Sequence, residues 1–279
     1  MSPAGHWREL DDDERQREYS PSSAVGEIGP LLAEYRTRSD AVASSGEELR
    51  YGPAAEQLTV LFRAEDPDAP LHVFFHGGYW QELGVADSLF PAAGFAARGI
   101  AFAAVGYELA PAATVDEIVA ACREALAHVL RTSGLTPACI TVSGSSAGAH
   151  LAAMVALAPW PGERTPIDAA VLVSGIFELE PLIGTSINDA LGLDREAARR
   201  ASPLLLDPPG RPATLVCVGE NETAEFKAQS ADYAAFLRSH HVPVAELVIA
   251  GRNHFDVILD LSTPGTELGD RSLRLTVNG

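Results

Sequence analysis

The stretch Gly144-Ser145-Ser146-Ala147-Gly148 decides how this chain is read. An apolar run, Cys139-Ile140-Thr141-Val142, precedes it, and an Ala/Leu/Met run of helical composition, His150 to Pro159, follows. A serine between glycines at −2 and +2, on a turn from strand to helix, is the context of a nucleophile elbow. Backbone angles at such a turn are strained and its neighbours crowd, so the flanking positions need residues without a Cβ. Ser146 alone meets the spacing; Ser143 and Ser145 do not. The plainer reading is a Ser/Gly-rich turn with a serine helix cap, and the surrounding chain has to decide between them.

Working outward, short apolar runs alternate with helical ones. Upstream, Arg50-Tyr51-Gly52 and Gln57–Phe62 read as an antiparallel pair, and Leu71–Phe75 as a strand buried on both faces. A helix is expected from about Ala86 to Arg98, a strand over Ile100–Val105 and a helix over Val115–Leu130. Downstream come strands at Ala169–Ser174, Thr214–Gly219 and Ala245–Ile249, a helix over Phe226–Ser239 and a closing helix near Phe255–Leu261. Alternation of this kind predicts parallel βαβ units in a doubly wound α/β sheet with helices on both faces. With no repeat or low-complexity linker, one domain is the simplest organisation. Residues 1–45 form a polar segment with one short helix near Leu31–Tyr35, expected to cover the site. The irregular stretch 175–209 is the natural lid or pocket wall.

Composition excludes several classes. The chain has 279 residues, 47% of them hydrophobic, enough for a sizeable core. Its 20 basic against 38 acidic residues give a net charge of −18, which argues against nucleic-acid or anionic-membrane partners. Cys122, Cys139 and Cys217 lie far apart within apolar segments, as buried thiols of a reducing compartment would. No apolar leader or membrane-length run is present, so a cytoplasmic protein with a small-molecule substrate is expected. Oligomeric state stays open, with a homodimer allowed. His72 and His76 lack a third clustered ligand or an H-E-x-x-H pattern, so neither metal nor cofactor is expected.

A serine hydroxyl needs a base, and the base needs an acid to orient it. In α/β-hydrolases the order along the chain is serine, acid, histidine. Among the downstream histidines, His240 and His241 end a helix, while His254 follows the last strand at the sheet edge where ligands bind. His150, on the helix after the elbow, reads as a structural histidine. The acid should leave the strand Thr214–Gly219, which offers Glu220 and Glu222; the usual spacing in such hydrolases favours Glu222, with Glu220 in reserve. Alone, either would pass for a solvated loop carboxylate. The segment His76-Gly77-Gly78-Tyr79-Trp80 can aim backbone N–H groups of Gly78 and Tyr79, with that of Ala147, at a developing oxyanion.

These residues resemble a known family. His76-Gly77-Gly78-Tyr79-Trp80 is similar to the H-G-G-x-W signature of the serine-dependent kynurenine formamidases (arylformamidases), α/β-hydrolases related to the hormone-sensitive-lipase group. Val105–Pro111 resembles the Y-x-L-A-P loop of that wider group, and Gly144–His150 the nucleophile segment. Glu222–Phe226 with Gln229-Ser230 resembles the acid loop, and Tyr19-Ser20-Pro21-Ser22 the N-terminal segment of bacterial members. Aspartate is frequent where this chain has Glu222. The resemblance implies hydrolysis of N-formyl-L-kynurenine to formate and kynurenine through Ser146, His254 and Glu222. It also implies an aromatic pocket, for which Tyr19, Trp80 and Phe177 are candidates; core packing is the alternative reading of each. A small-ester hydrolase or lactonase is the nearest rival reading, and a non-catalytic ligand binder of the same fold a more distant one.

Overall fold

The computed structural model describes residues 6–157, 160, 165–208 and 210–279. After a short 3-10 turn, helices α1 (Asp12–Glu18) and α2 (Gly29–Asp40) lead into β1 (Glu47–Arg50), β2 (Leu58–Phe62) and β3 (Leu71–Phe75). Then follow α3 (Ala92–Ala96), β4 (Ala101–Val105), α4 (Val115–Thr132), β5 (Ile140–Ser145), α5 (Ala147–Leu157) and β6 (Ala169–Val173). The chain closes with α6 (Asn188–Leu191), α7 (Arg195–Arg200), β7 (Ala213–Gly219), α8 (Ala224–Ser239), β8 (Val244–Ile249) and α9 (Glu267–Asn278).

One sheet holds all eight strands in the order β1-β2-β4-β3-β5-β6-β7-β8. β1–β2 and β2–β4 pair antiparallel; every other neighbour is parallel. Side chains alternate across the pleat. Val73 and Phe75 therefore face a core shared with α4, α5 and α8, while Phe74 faces a second core under α2, α3 and α9. Burial on both faces explains why β4 and β6 read as unbroken apolar runs and β3 as a nearly unbroken one. The parallel strands all end at one edge, so the loops after β3, β5, β7 and β8 meet there.

Several boundaries differ from the sequence reading. The first strand lies at Glu47–Arg50, and Tyr51 N–H already donates to Gln57 across the turn. The helix expected from about Ala86 is a 3-10 turn, Val85–Asp87, followed by the five-residue α3. Pro91 has no N–H to give Asp87, so a continuous helix would lose that bond, and α3 starts afresh behind it. Near Phe255–Leu261 there is only a 3-10 turn, Val257–Asp260. The closing helix is α9, whose N-cap Thr266 accepts from Gly269 N–H. All three cysteines are free and buried. No helix among the described residues is long and apolar enough to cross a membrane.

Candidate active site

Ser146 stands between β5 and α5 with φ 57°, a left-handed conformation that a non-glycine residue adopts only when its surroundings impose it. Its N–H is tied to the Val173 carbonyl at 2.8 Å, anchoring the turn to β6. The two elbow glycines touch. A Cβ at Gly144 would lie 2.2 Å from the Gly148 carbonyl, and one at Gly148 would lie 2.0 Å from the Phe75 carbonyl. Neither contact is tolerable, so the spacing G-x-S-x-G is a packing requirement of the turn.

β7 and β8 bring the other two residues together. Glu220 N–H bonds the Ile249 carbonyl at 3.0 Å and Asn221 N–H bonds that of Arg252 at 2.8 Å, zipping the two loops. In this frame His254 Nδ1 lies 2.7 Å from Glu222 Oε2, with both side chains buried. The other carboxylate oxygen, Oε1, accepts from Ser174 Oγ at 2.6 Å and Gly219 N–H at 2.7 Å. Each oxygen of Glu222 thus has a donor, as a buried carboxylate requires, and the pair leaves Nδ1 as the protonated nitrogen and Nε2 as the lone pair. Glu220 is exposed, and its Oε2 accepts from Gly251 N–H at 2.8 Å. The edge of Phe226 packs at the His254 ring, centroids 4.5 Å apart.

The loop after β3 runs through three consecutive positive φ angles, at Gly78 (95°), Tyr79 (51°) and Trp80 (59°). Tyr107 braces it: its ring stacks on His76 at 4.0 Å and its hydroxyl donates to the His76 carbonyl at 2.7 Å. Among the described residues, the N–H groups of Gly78, Tyr79 and Ala147 donate to no protein acceptor. That of Ala147 is free because α5 begins there and the first turn of a helix has no internal acceptors. Unsatisfied donors at a helix N-terminus and in a left-handed loop suit an oxyanion.

Ser146, His254, Gly78 and Tyr79 all line one cavity of about 340 Å³, at the small end of ligand pockets. Part of its wall comes from the N-terminal segment, through Gln16, Ser20, Ser22, Leu32 and Tyr35, and from Ser186 and Ile187 of the 175–209 stretch. The structure places the three expected pocket aromatics elsewhere. Tyr19, Trp80 and Phe177 are fully buried and none lines the cavity. Tyr19 donates to Glu225 behind the acid loop, Trp80 meets His150 edge-on at 5.0 Å, and Phe177 stacks on Tyr233 at 4.1 Å. Bulky rings go where most area is buried, and in the adjacent pair Tyr79-Trp80 only the tyrosine faces the cavity. The rings that do line it are Tyr35, Phe74, Tyr79, Phe90 and Phe255.

His72 and His150 have structural surroundings. His72 bridges Thr276 Oγ1 (2.8 Å) and Ser143 Oγ (2.6 Å), joining α9 to the sheet, and burial pushes its pKa down to about 3. His150 Nε2 bonds the Ala201 carbonyl at 2.7 Å, and burial lowers it to about 4. Among the described residues no three His, Cys, Asp or Glu side chains cluster as metal ligands.

Comparison with known proteins agrees with this architecture. A protein family described by the alpha/beta hydrolase fold matches residues 72–198. Kynurenine formamidase of Danio rerio is 34% identical, the alignment covering 91% of this chain and 93% of that one. The kynurenine formamidase of Salmo salar is 33% identical with the same coverage. Among solved structures, a candidate thioesterase from Silicibacter superposes with a TM-score of 0.82 at 25% identity, over 94% of this chain and 98% of the other. A chain with this elbow and sheet, alignable over nine-tenths of its length, is a hydrolase and belongs to the kynurenine formamidase family of the alpha/beta hydrolase fold.

Proposed function

We propose that this hydrolase cleaves the formamide of N-formyl-L-kynurenine, or of a similar N-formyl arylamine, releasing formate and the amine. The observation that carries the reading is the buried His254–Glu222 pair at 2.7 Å, whose His254 lines the same small cavity as Ser146, in a chain related to kynurenine formamidases. Ser146 Oγ attacks the formyl carbon while His254 Nε2 takes its proton. Glu222 holds the Nδ1–H and stabilises the imidazolium that forms. The N–H groups of Gly78, Tyr79 and Ala147 receive the negative charge that develops on the formyl oxygen. Collapse of the tetrahedral intermediate breaks the C–N bond, and His254 gives its proton to the departing arylamine nitrogen. Water, deprotonated by the same imidazole, then attacks the formyl-serine ester; formate leaves and Ser146 recovers its proton.

Beyond its oxygen and nitrogen a formyl carbon bears only hydrogen, so the acyl side of such a substrate asks little room of the cavity of about 340 Å³. The second reading is a hydrolase of small esters, favoured by the weaker likeness, 27% identity over 70% of this chain, to an esterase of Mycobacterium tuberculosis; the chemistry at Ser146 would be unchanged. The test is kcat/KM for N-formyl-L-kynurenine beside a p-nitrophenyl ester. A value for the formamide of ~10⁴ M⁻¹s⁻¹ or more, typical of natural substrates, is expected. Turnover of the ester alone would transfer the enzyme to ester chemistry.

A further inference from the structure

Tyr19 lies outside the cavity lining, yet it touches both halves of the site around it. Its backbone carbonyl accepts a hydrogen bond from the Tyr79 hydroxyl, on the loop after β3. Its own buried hydroxyl donates to Glu225 Oε2 at 3.1 Å and accepts from Gln229 Nε2 at 3.2 Å. Both partners stand on α8, the helix that begins two residues after Glu222. The Tyr19 ring tilts against Phe226 with centroids 6.3 Å apart, and Phe226 is the ring that packs at His254. One residue of the N-terminal segment therefore spans from the loop with the free N–H groups to the elements that hold the imidazole and its acid.

The loop end of this span needs holding. A run of positive φ angles such as that at Gly78, Tyr79 and Trp80 persists only where its surroundings over-determine it. The Tyr107 hydroxyl takes the His76 carbonyl, and Ala110 N–H takes that of Trp80 at 2.8 Å. The N–H groups of Gln81 and Glu82 take the Gly78 carbonyl, each at 2.9 Å. Carbonyl and N–H of one trans peptide unit point in opposite directions, so the turn that takes the Gly78 carbonyl aims the Tyr79 N–H away from itself. How far that N–H reaches depends on where the rest of Tyr79 is fixed. Among the described residues, the hydrogen bond that fixes its side chain is the one to Tyr19. Burial pushes the Tyr79 phenol well above its ordinary pKa, so it stays a donor.

We propose that the Tyr79 hydroxyl and Tyr19 form a brace that sets the Tyr79 N–H against the His254–Glu222 pair, making Tyr19 a positioning residue of the reaction and not a substrate contact. The inference rests on the reading of the Tyr79 N–H as an oxyanion donor and names what holds it in place. The tetrahedral intermediate needs donor and base in register at once, whereas bound substrate needs neither, so the brace acts on the barrier and not on binding.

The test cuts the span at either end. Tyr79→Phe keeps the ring and removes the tether; Tyr19→Phe keeps ring and carbonyl but releases α8. In Tyr79→Phe, kcat should fall about tenfold or more, part of the roughly 10²–10³ that loss of a whole oxyanion donor costs, with KM within about twofold. Phenylboronic acid reads the same geometry without turnover: Ser146 Oγ adds to boron, its proton passes to His254, and a tetrahedral anion results. Its affinity should weaken by the same factor as kcat/KM in both variants. The double variant should lose no more than the worse single one, because either cut releases the same span. Glu18→Ala loosens the same segment without touching the span, and its kcat should stay within about twofold of wild type. The brace is overturned by an unchanged kcat in Tyr79→Phe, by a loss carried in KM, by multiplying losses in the double variant, or by an equal loss in Glu18→Ala. Should Tyr79→Phe fail to fold, unchanged phenylboronic acid affinity in Tyr19→Phe overturns it alone. Rates are taken on whichever of N-formyl-L-kynurenine and a p-nitrophenyl ester is turned over, so failure of the formamide reading and failure of the brace are separate results.

Discussion

In the proposed mechanism, Glu222 is the side chain on which the site turns. It accepts three hydrogen bonds in the interior, from Ser174, Gly219 and His254, and with its donors in place it fixes which imidazole nitrogen carries the proton. A glutamine there keeps the size but presents a neutral group that cannot stabilise an imidazolium. Glu222→Gln should lower kcat by about 10³-fold or more with a smaller change in KM. Glu220→Gln, on an exposed carboxylate turned to Gly251, should leave kcat close to wild type. Steady-state kinetics on the two variants checks both, and the reverse pattern would hand the role to Glu220. Ser174 could not have been found from sequence: it is one serine at a strand end, and only its φ of 53° and the fold bring it to Glu222. The same holds for the pocket aromatics, since an aromatic residue's type does not say which face of a loop it occupies.

At the scale of elements, the N-terminal segment is bound to the acid loop. α8 begins two residues after Glu222, and its own N-cap, Thr223, makes no side-chain cap bond. Glu18 supplies that cap from the end of α1: its Oε2 accepts from Ala224 N–H at 2.9 Å, while its carbonyl accepts from Thr223 Oγ1 at 2.7 Å. A carboxylate at a helix N-terminus is favoured by both the free N–H groups and the dipole. Glu18→Ala should therefore destabilise the protein by about 1 kcal/mol, read as a lower denaturant midpoint; an unchanged midpoint would remove Glu18 from the cap. Nothing in the sequence announces this pairing, because the residues are 206 positions apart. Local signals are more legible. Asp11 with Glu14 and Thr114 with Glu117 form capping boxes that open α1 and α4, and at α9, which the sequence reading does not include, Thr266 and the spacing of Leu268, Ser272, Leu273 and Thr276 mark one buried helical face.

For the whole molecule, the loops that carry Ser146, Glu222 and His254 could be brought to one edge from chain order, because parallel strands deliver their loops to a common edge. The walls of the cavity could not, since residues 16–35 and 186–187 reach it through long-range packing. The buried histidines make a molecular-scale prediction. His72, His76 and His150 have folded-state pKa values depressed by burial to about 3, 4 and 4 from an ordinary 6.5. Between those limits the unfolded chain binds more protons than the folded one, so stability is full above pH ~6.5 and falls as pH drops below it. Thermal unfolding should show a midpoint that declines steadily from pH 6.5 to 4; a flat profile would contradict neutral burial of the three rings.

The central claim is that the fold activates Ser146 through His254 and Glu222. The most direct measurement is covalent labelling by a fluorophosphonate, with the modified peptide identified by mass spectrometry and the rate followed in wild type, Glu222→Gln and Ser146→Ala. The account predicts a single adduct on Ser146, formed far more slowly in Glu222→Gln and absent from Ser146→Ala while that variant's melting temperature stays near wild type. Labelling at another residue, or a rate indifferent to Glu222, would contradict it.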